Sequence, residues 1–166
     1  MMLISQEYLK ERFNYDAETG LFTWKIIPAH TKVNIGDIAG VVDATGYIRL
    51  SINHKPYLAH RMVWLYVYGV MPCKYMDHIN LDRADNRLCN LRESTPAQNQ
   101  ANKSLSCKNT SGYKGVYWDS ARKYWRAAIR IDGIKKHLGC FSSKELAFKS
   151  YQDASLKIHG EFSRFN

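Results

Sequence analysis

An Asp–His pair, Asp77–His78, opens a short stretch crowded with Asp, Asn and Arg, YMDHINLDRADNRLCNLRESTPAQN, from Tyr75 to Asn99. A carboxylate and an amide oxygen are hard ligands of the kind that Mg²⁺ takes. A neutral imidazole beside them can remove a proton from water near pH 7. A core segment would be apolar and periodic, and a flexible linker would not need Leu88 and Leu91. The residue types therefore point to hydrolysis of a phosphodiester, with one ion to neutralise charge on the phosphate and one base to activate water.

The elements that must position these groups follow from local pattern. Met76–Ile79 reads as a strand end and Leu88–Ser94 as a returning strand. Ser94 or Thr95, followed by Pro96, is helix-start chemistry, and Asn99 falls in that first turn. The unit is strand, loop, strand, helix, and it is expected to aim Asp77 and Asn99 at one point with His78 beside it.

The longer segment HRMVWLYVYG…MPCKYMDHINLDRADNRLCNLRESTPAQNQANKS resembles the HNH nuclease motif of phage and homing endonucleases, over about His60 to Ser104. The resemblance rests on D-H-I-N, D-N-R-x-x-N-L-R and the later T-x-x-x-N. It implies a ββα-metal unit in which His78 is the general base and Asp77 a metal ligand. It makes Asn90 the middle asparagine, which braces the loop and orients the histidine. Asn99 stands where other members carry the last histidine and serves as the second metal ligand. One divalent cation is implied, Mg²⁺ first and Mn²⁺ as a substitute. His60 either touches the site or is a structural residue at a helix start. Arg83, Arg87 and Arg92 either meet phosphates or pair with nearby Asp residues.

The four cysteines, Cys73, Cys89, Cys107 and Cys140, form no C-x-x-C pair. No structural zinc is expected, and packed, reduced thiols are the simpler reading. The longest apolar run, Met62 to Met71, is too short to span a bilayer, and the N-terminus lacks the layout of a secretory signal. The expectation is a cytoplasmic protein with no membrane partner.

Net charge is +9, which favours a polyanionic partner. Residues 1–103 hold 12 Lys and Arg against 10 Asp and Glu, whereas residues 104–166 hold 12 against 5. In that basic third, Tyr113–Asp119, Lys123–Ile131 and IKKHLGCF read as three strands, with Asp132–Gly133 as a hairpin turn. Ser142–Gly160 reads as a helix with Leu146, Ala147, Tyr151, Ala154 and Ile158 on one face. Alternation on the second strand puts Arg126 and Arg130 opposite its apolar side, together with Lys114, Tyr117, Lys135 and His137.

Gly112–Asn166 resembles the Apetala-two/ethylene-response-factor DNA-binding domain, through Y-K-G-V, W-R-A-A-I-R, L-G-x-F and the final F-N. That resemblance implies DNA contacts by Lys114, Tyr117, Arg130, Lys135 and His137. Tyr117 and His137 depart from the Arg and Trp usual there, so the plant target sequence does not transfer.

The expected fold is α+β. A small β-rich module (1–58) precedes the nuclease unit (59–104), a linker (105–111) and a three-stranded sheet packed on one helix (112–166). The expected function is a site-recognising, metal-dependent DNA endonuclease of homing type. It would act on double-stranded DNA and leave 5′-phosphate and 3′-hydroxyl ends. The alternative is a sequence-specific DNA-binding regulator with an inactive nuclease centre.

Overall fold

The first helix starts where a hydroxyl can satisfy its unpaired N–H groups. In the computed structural model, which describes residues 4–28 and 31–165, Ser5 accepts from Tyr8 N and α1 runs Gln6–Arg12. Helix α1 leads into β1 (Phe13–Tyr15), β2 (Phe22–Trp24) and β3 (Ile38–Ala39), one antiparallel sheet in the order β1-β2-β3. Ala29 and His30, between β2 and β3, lie outside the described residues. A second sheet, β4 (Val41–Val42), β5 (Ile48–Ile52) and β6 (Lys55–Leu58), is a meander. It feeds α2 (Ala59–Tyr68), which closes at Gly69.

Leu9, Phe13, Phe22, Leu50, Met62 and Val63 are buried to 2% exposure or less and form the centre of this core. Phe13, Tyr15, Phe22, Trp24 and Tyr66 pack ring to ring around it. Large rings supply much of the buried apolar area of so small a module. Beyond α2, β7 (Tyr75–His78) pairs with β8 (Leu91–Ser94). The return strand is shorter than its sequence suggests. Leu88–Asn90 forms a 3₁₀ turn in which Asn90 N bonds Arg87 O rather than a neighbouring strand.

The chain divides between Glu93 and Ser94 into two units. The division falls inside the 59–104 stretch, so the helix after β8 groups with the C-terminal residues. That helix, α3 (Pro96–Asn102), starts with a full capping box between Thr95 and Gln98.

The C-terminal sheet is β9 (Val116–Asp119), β10 (Tyr124–Ile131) and β11 (Ile134–Phe141), antiparallel in the order β11-β10-β9. Asp132 and Gly133 form the β10–β11 turn with positive φ at both residues. Strand β9 starts later than Tyr113, because the Ser111 hydroxyl and the Tyr113–Val116 turn hold the backbone there. The pairing of β10 with β11 shifts between Ala127 and Ala128, which places Leu138 as an extra residue on β11.

Helix α4 (Lys144–His159), capped by Ser143, packs on the sheet. Its buried residues are Ala147, Tyr151, Ser155 and His159. Leu146 and Ile158, expected on that face, are 51% and 39% exposed. The rotation is set by Tyr151, whose ring covers Gly115 so closely that a Cβ on Gly115 would lie 2.1 Å from it. The final Asn166 of the expected F-N landmark lies outside the described residues. No described helix is long and apolar enough to cross a membrane.

Gly115 also has φ +72 and no room toward Ala128 O at 2.8 Å. Gly115→Ala therefore combines backbone strain with a clash, and is expected to destabilise the second unit by about 3 kcal/mol. Urea unfolding followed by circular dichroism would read this as a lower midpoint at unchanged slope.

Candidate functional site

The end of β7 carries Met76, Asp77 and His78, all buried, with Asp77 at 4% and His78 at 5% exposure. Strand alternation alone would not bury three consecutive residues. The loop from Ile79 to Asn90 folds back over the strand end and covers it. Ile79 N bonds Asn90 O at 2.9 Å and Leu81 N bonds His78 O at 3.0 Å.

Asn90 holds this loop from its centre. Its Oδ1 accepts from Asn80 N at 2.9 Å, and its Nδ2 donates to Asn80 Oδ1 at 3.0 Å and Asp85 O at 2.8 Å. Asp85 accepts from Asn80 Nδ2 at 2.7 Å and from a two-pronged Arg87 contact at 2.8 and 2.6 Å. The Arg87 guanidinium holds the Asp85 carboxyl down to about 2. A polar loop whose side chains are paired in this way is rigid.

His78 Nε2 lies 3.1 Å from Asn86 Oδ1. The His78 ring meets His60 edge-on at 5.1 Å between centroids, and Tyr47 packs against both. Burial lowers the pKa of His78, against the hydrogen bond from Asn86 and the carboxylates of Asp77, Asp85 and Asp82, which raise it. Burial also pushes His60 down to about 3, helped by His78 and Arg61. Both rings are therefore uncharged at neutral pH. His60 Nδ1 is buried with no partner among the described residues.

Arg92 Nε contacts Asp77 Oδ2 at 3.0 Å, with both side chains largely buried. The two oxygens of a carboxylate can accept several contacts, so an oxygen-seeking cation and Arg92 can be ligated by the same group. Among the described residues no group of three or more His, Cys, Asp and Glu side chains could hold a metal ion unaided. The donor chemistry fits an ion of the Mg²⁺ kind, which commonly takes one or two carboxylates and completes its shell from water and phosphate.

The profile described as HNH endonuclease matches residues 57–101. Protein 3.8 of Escherichia phage T7 is 32% identical over 107 residues, covering 64% of this chain and 88% of that protein. The chain thus carries an HNH endonuclease segment over residues 57–101 and is related to Protein 3.8 along most of that protein's length. A second relative, the HNH endonuclease L560 of Acanthamoeba polyphaga mimivirus, is 34% identical over 109 residues, 64% of this chain and 56% of that protein. The aligned part thus spans little more than half of L560. The solved HNH homing endonuclease I-HmuI superposes with a TM-score of 0.42 at 20% identity, over 89% of this chain and 85% of that one. That is too loose a likeness to place individual residues.

Within the HNH segment, the first unit brings together Asp77, His78, Asn90, His60 and Arg92. Asn99 is half-buried in the first turn of α3, in the second unit, where its N–H bonds Thr95 O at 2.9 Å. Arg83 is exposed, donates to Thr45 O at 2.7 Å and lies over the Tyr47 ring at 5.0 Å. Arg87 and Arg92 are paired with Asp residues as described. The four cysteines are free and exposed rather than packed, because they fall on turns, loops and an outward sheet position. Asn86, fully buried against His78, was not among the site residues expected from sequence. It is the first asparagine of the D-N-R-x-x-N-L-R landmark, and that place in the motif, eight residues after His78, is the signal that could have found it.

In the second unit the cross-strand register puts Tyr117, Arg126 and Cys140 in one row, Ala128 with His137, and Arg130 with Lys135. Lys135 lies over the Tyr117 ring at 4.3 Å and Arg126 at 5.9 Å. Arg126 also pairs with Asp119 at 3.3 Å, and His137 Nε2 lies 3.4 Å from Cys140 Sγ. Arg130, Lys135 and His137 are exposed. Lys114 does not join this face. Its ammonium donates to Ala101 O and, at 2.7 Å, to Lys103 O, so it terminates α3. Burial lowers its pKa to about 8.

The two depressed imidazoles make the first unit acid-labile. An unfolded chain binds protons near pH 6.5 that the folded chain does not, so stability is full above that pH and falls as pH drops below it. From His60 alone the loss between pH 6.5 and pH 5 is expected to be about 2 kcal/mol. Urea unfolding at the two pH values measures it, and His60→Leu is expected to flatten the dependence.

Proposed function

We propose that the chain is a site-recognising, metal-dependent HNH endonuclease of homing type that hydrolyses phosphodiester bonds in double-stranded DNA and leaves 5′-phosphate and 3′-hydroxyl ends. The observation that carries this reading is His78: an uncharged, buried imidazole beside the Asp77 carboxylate, inside the segment that matches the HNH profile.

His78 is the general base. It takes a proton from water as the water oxygen attacks phosphorus, and the bond from phosphorus to the 3′ oxygen breaks. A neutral ring can accept that proton at pH 7, and burial supplies the neutrality. Asn90 holds the 80–85 loop and through it the strand end that carries His78. Asp77 and Asn99 are assigned as protein ligands of one divalent cation, Mg²⁺ first and Mn²⁺ as a substitute, as the HNH resemblance implies. When bound, the ion would neutralise charge developing on the phosphate and the leaving oxygen. Arg92, held against Asp77, is oriented by that carboxylate.

The second unit is proposed as the DNA grip, in keeping with its resemblance to the Apetala-two/ethylene-response-factor domain. Arg126 and Arg130 can read guanine in bidentate fashion, and Lys135, stacked on Tyr117, can meet phosphate. His137 extends the same face. Residues 112–166 are read as the binding module, 59–104 as the nuclease segment and 1–58 as its support.

A nicking assay on supercoiled plasmid with Mg²⁺ or Mn²⁺ tests the catalytic reading. His78→Ala is expected to lower cleavage on the order of 100-fold or more while DNA binding persists. Equal cutting by wild type and variant would remove His78 as the base.

For the grip, Arg130→Ala is expected to weaken duplex binding and to reduce the salt dependence of affinity by about one counterion if it meets phosphate. Loss of preference at one base pair with an unchanged salt slope would assign it to a base edge instead. Unchanged affinity would take Arg130 out of the interface.

A further inference from the structure

Asn86 is fully buried, yet half of its amide is unsatisfied: Nδ2 has no partner among the described residues. An unpaired buried donor costs stability and asks for a reason. The other half of the amide supplies one, since Oδ1 lies 3.1 Å from His78 Nε2. An amide oxygen can only accept. Facing Nε2, it keeps the ring proton there and leaves the basic lone pair on Nδ1.

The backbone of Asn86 is held from its far side. The Tyr15 hydroxyl donates to Asn86 O at 2.9 Å. Gly20, with φ +75, packs so tightly that a Cβ would lie 2.6 Å from Asn86 C and 2.4 Å from Arg87 N. Tyr15 ends β1 and Gly20 sits in the turn before β2, so both precede residue 57, where the HNH match begins. Burial pushes the Tyr15 hydroxyl up to about 12, so it remains a donor at neutral pH.

We infer that Asn86 is the positioning residue that sets the ring orientation and tautomer of His78, and that the β1–β2 hairpin clamps Asn86 in place through Tyr15 and Gly20. The role rests on the nuclease reading for what His78 does; the contact does not. The segment outside the HNH match is then part of the catalytic apparatus. An imidazole free to rotate would spend time with the wrong nitrogen toward water, and small misplacements of a base cost rate steeply.

The test uses the full ¹⁵N-labelled chain. Long-range ¹H–¹⁵N spectra of the His78 ring at about pH 7.5 should show the Nε2–H tautomer in wild type and a mixture in Asn86→Ala. In plasmid nicking, Asn86→Ala should lower kcat on the order of 100-fold with KM little changed. Asn86→Asp keeps an oxygen acceptor and should restore the tautomer and part of kcat. Tyr15→Phe should give a smaller loss of kcat and a broadened His78 ring signal.

The Nδ1–H tautomer in wild type would mean the amide is turned the other way and overturns the assignment, as would wild-type kcat in Asn86→Ala. If Asn86→Ala does not fold, Tyr15→Phe decides, because it removes one hydroxyl only. An unchanged His78 signal and kcat there would eliminate the clamp. A wild-type chain that shows Nε2–H but cuts no DNA overturns the nuclease reading and leaves the Asn86 contact standing. One that cuts and shows Nδ1–H overturns the Asn86 assignment alone.

Discussion

The structure of the first unit turns on keeping an imidazole uncharged. His78 sits at the end of β7 with carboxylates on its own strand and in the loop that follows, and each of them pulls its pKa upward. In water that arrangement would favour the charged ring. Burial reverses it, because a charged ring in that pocket would lose its hydration. The cover is made by Tyr47, His60 and the folded-back 79–90 loop. The loop keeps its shape because Asn90 satisfies Asn80 and the Asp85 backbone, and because Arg87 holds Asp85.

This dependence explains why so polar a stretch is buried at all. Asp77, His78, Asn86 and Asn90 are each 6% exposed or less. Buried polar groups are tolerated where they satisfy one another, and here most of them do. Of the four buried side-chain N or O atoms without a partner among the described residues, two, on Asn86 and His60, belong to side chains beside the His78 ring; the others are Arg12 Nε and Arg126 Nε.

Much of this was legible in the sequence, for identifiable reasons. Asp77–His78, Asn90 and the Thr95–Pro96 helix start stand out because their residue types are rare in those roles by chance. The Asp132–Gly133 turn is local chemistry, and local chemistry reads directly. What failed to read was set by distant packing. Helix α4 is rotated because the Tyr151 ring needs the space over Gly115, a partner far away in sequence. Lys114 aligns with a DNA-contacting position by motif, yet the open carbonyls at the end of α3 capture it. Asn86 belongs to the D-N-R landmark, but its contact with His78 shows only once Tyr15 and Gly20 are seen against its backbone.

The second unit solves a different problem, which is to hold cations on one face of a sheet without letting them repel each other into disorder. The strand register alternates Arg126, Ala128 and Arg130 on β10, so a small residue separates the two guanidiniums. Tyr117 offers its ring to Arg126 and Lys135, and Asp119 takes up part of the Arg126 charge. Such partners are weak at an exposed surface, and that weakness suits the DNA grip proposed for this face. Contacts worth little in the free protein could then be exchanged for phosphate and base edges at little cost. The bulge at Leu138 contributes to the same end. By adding one residue to β11 it keeps Lys135 and His137 in register with Arg130 and Ala128 while Leu138 still packs against the core.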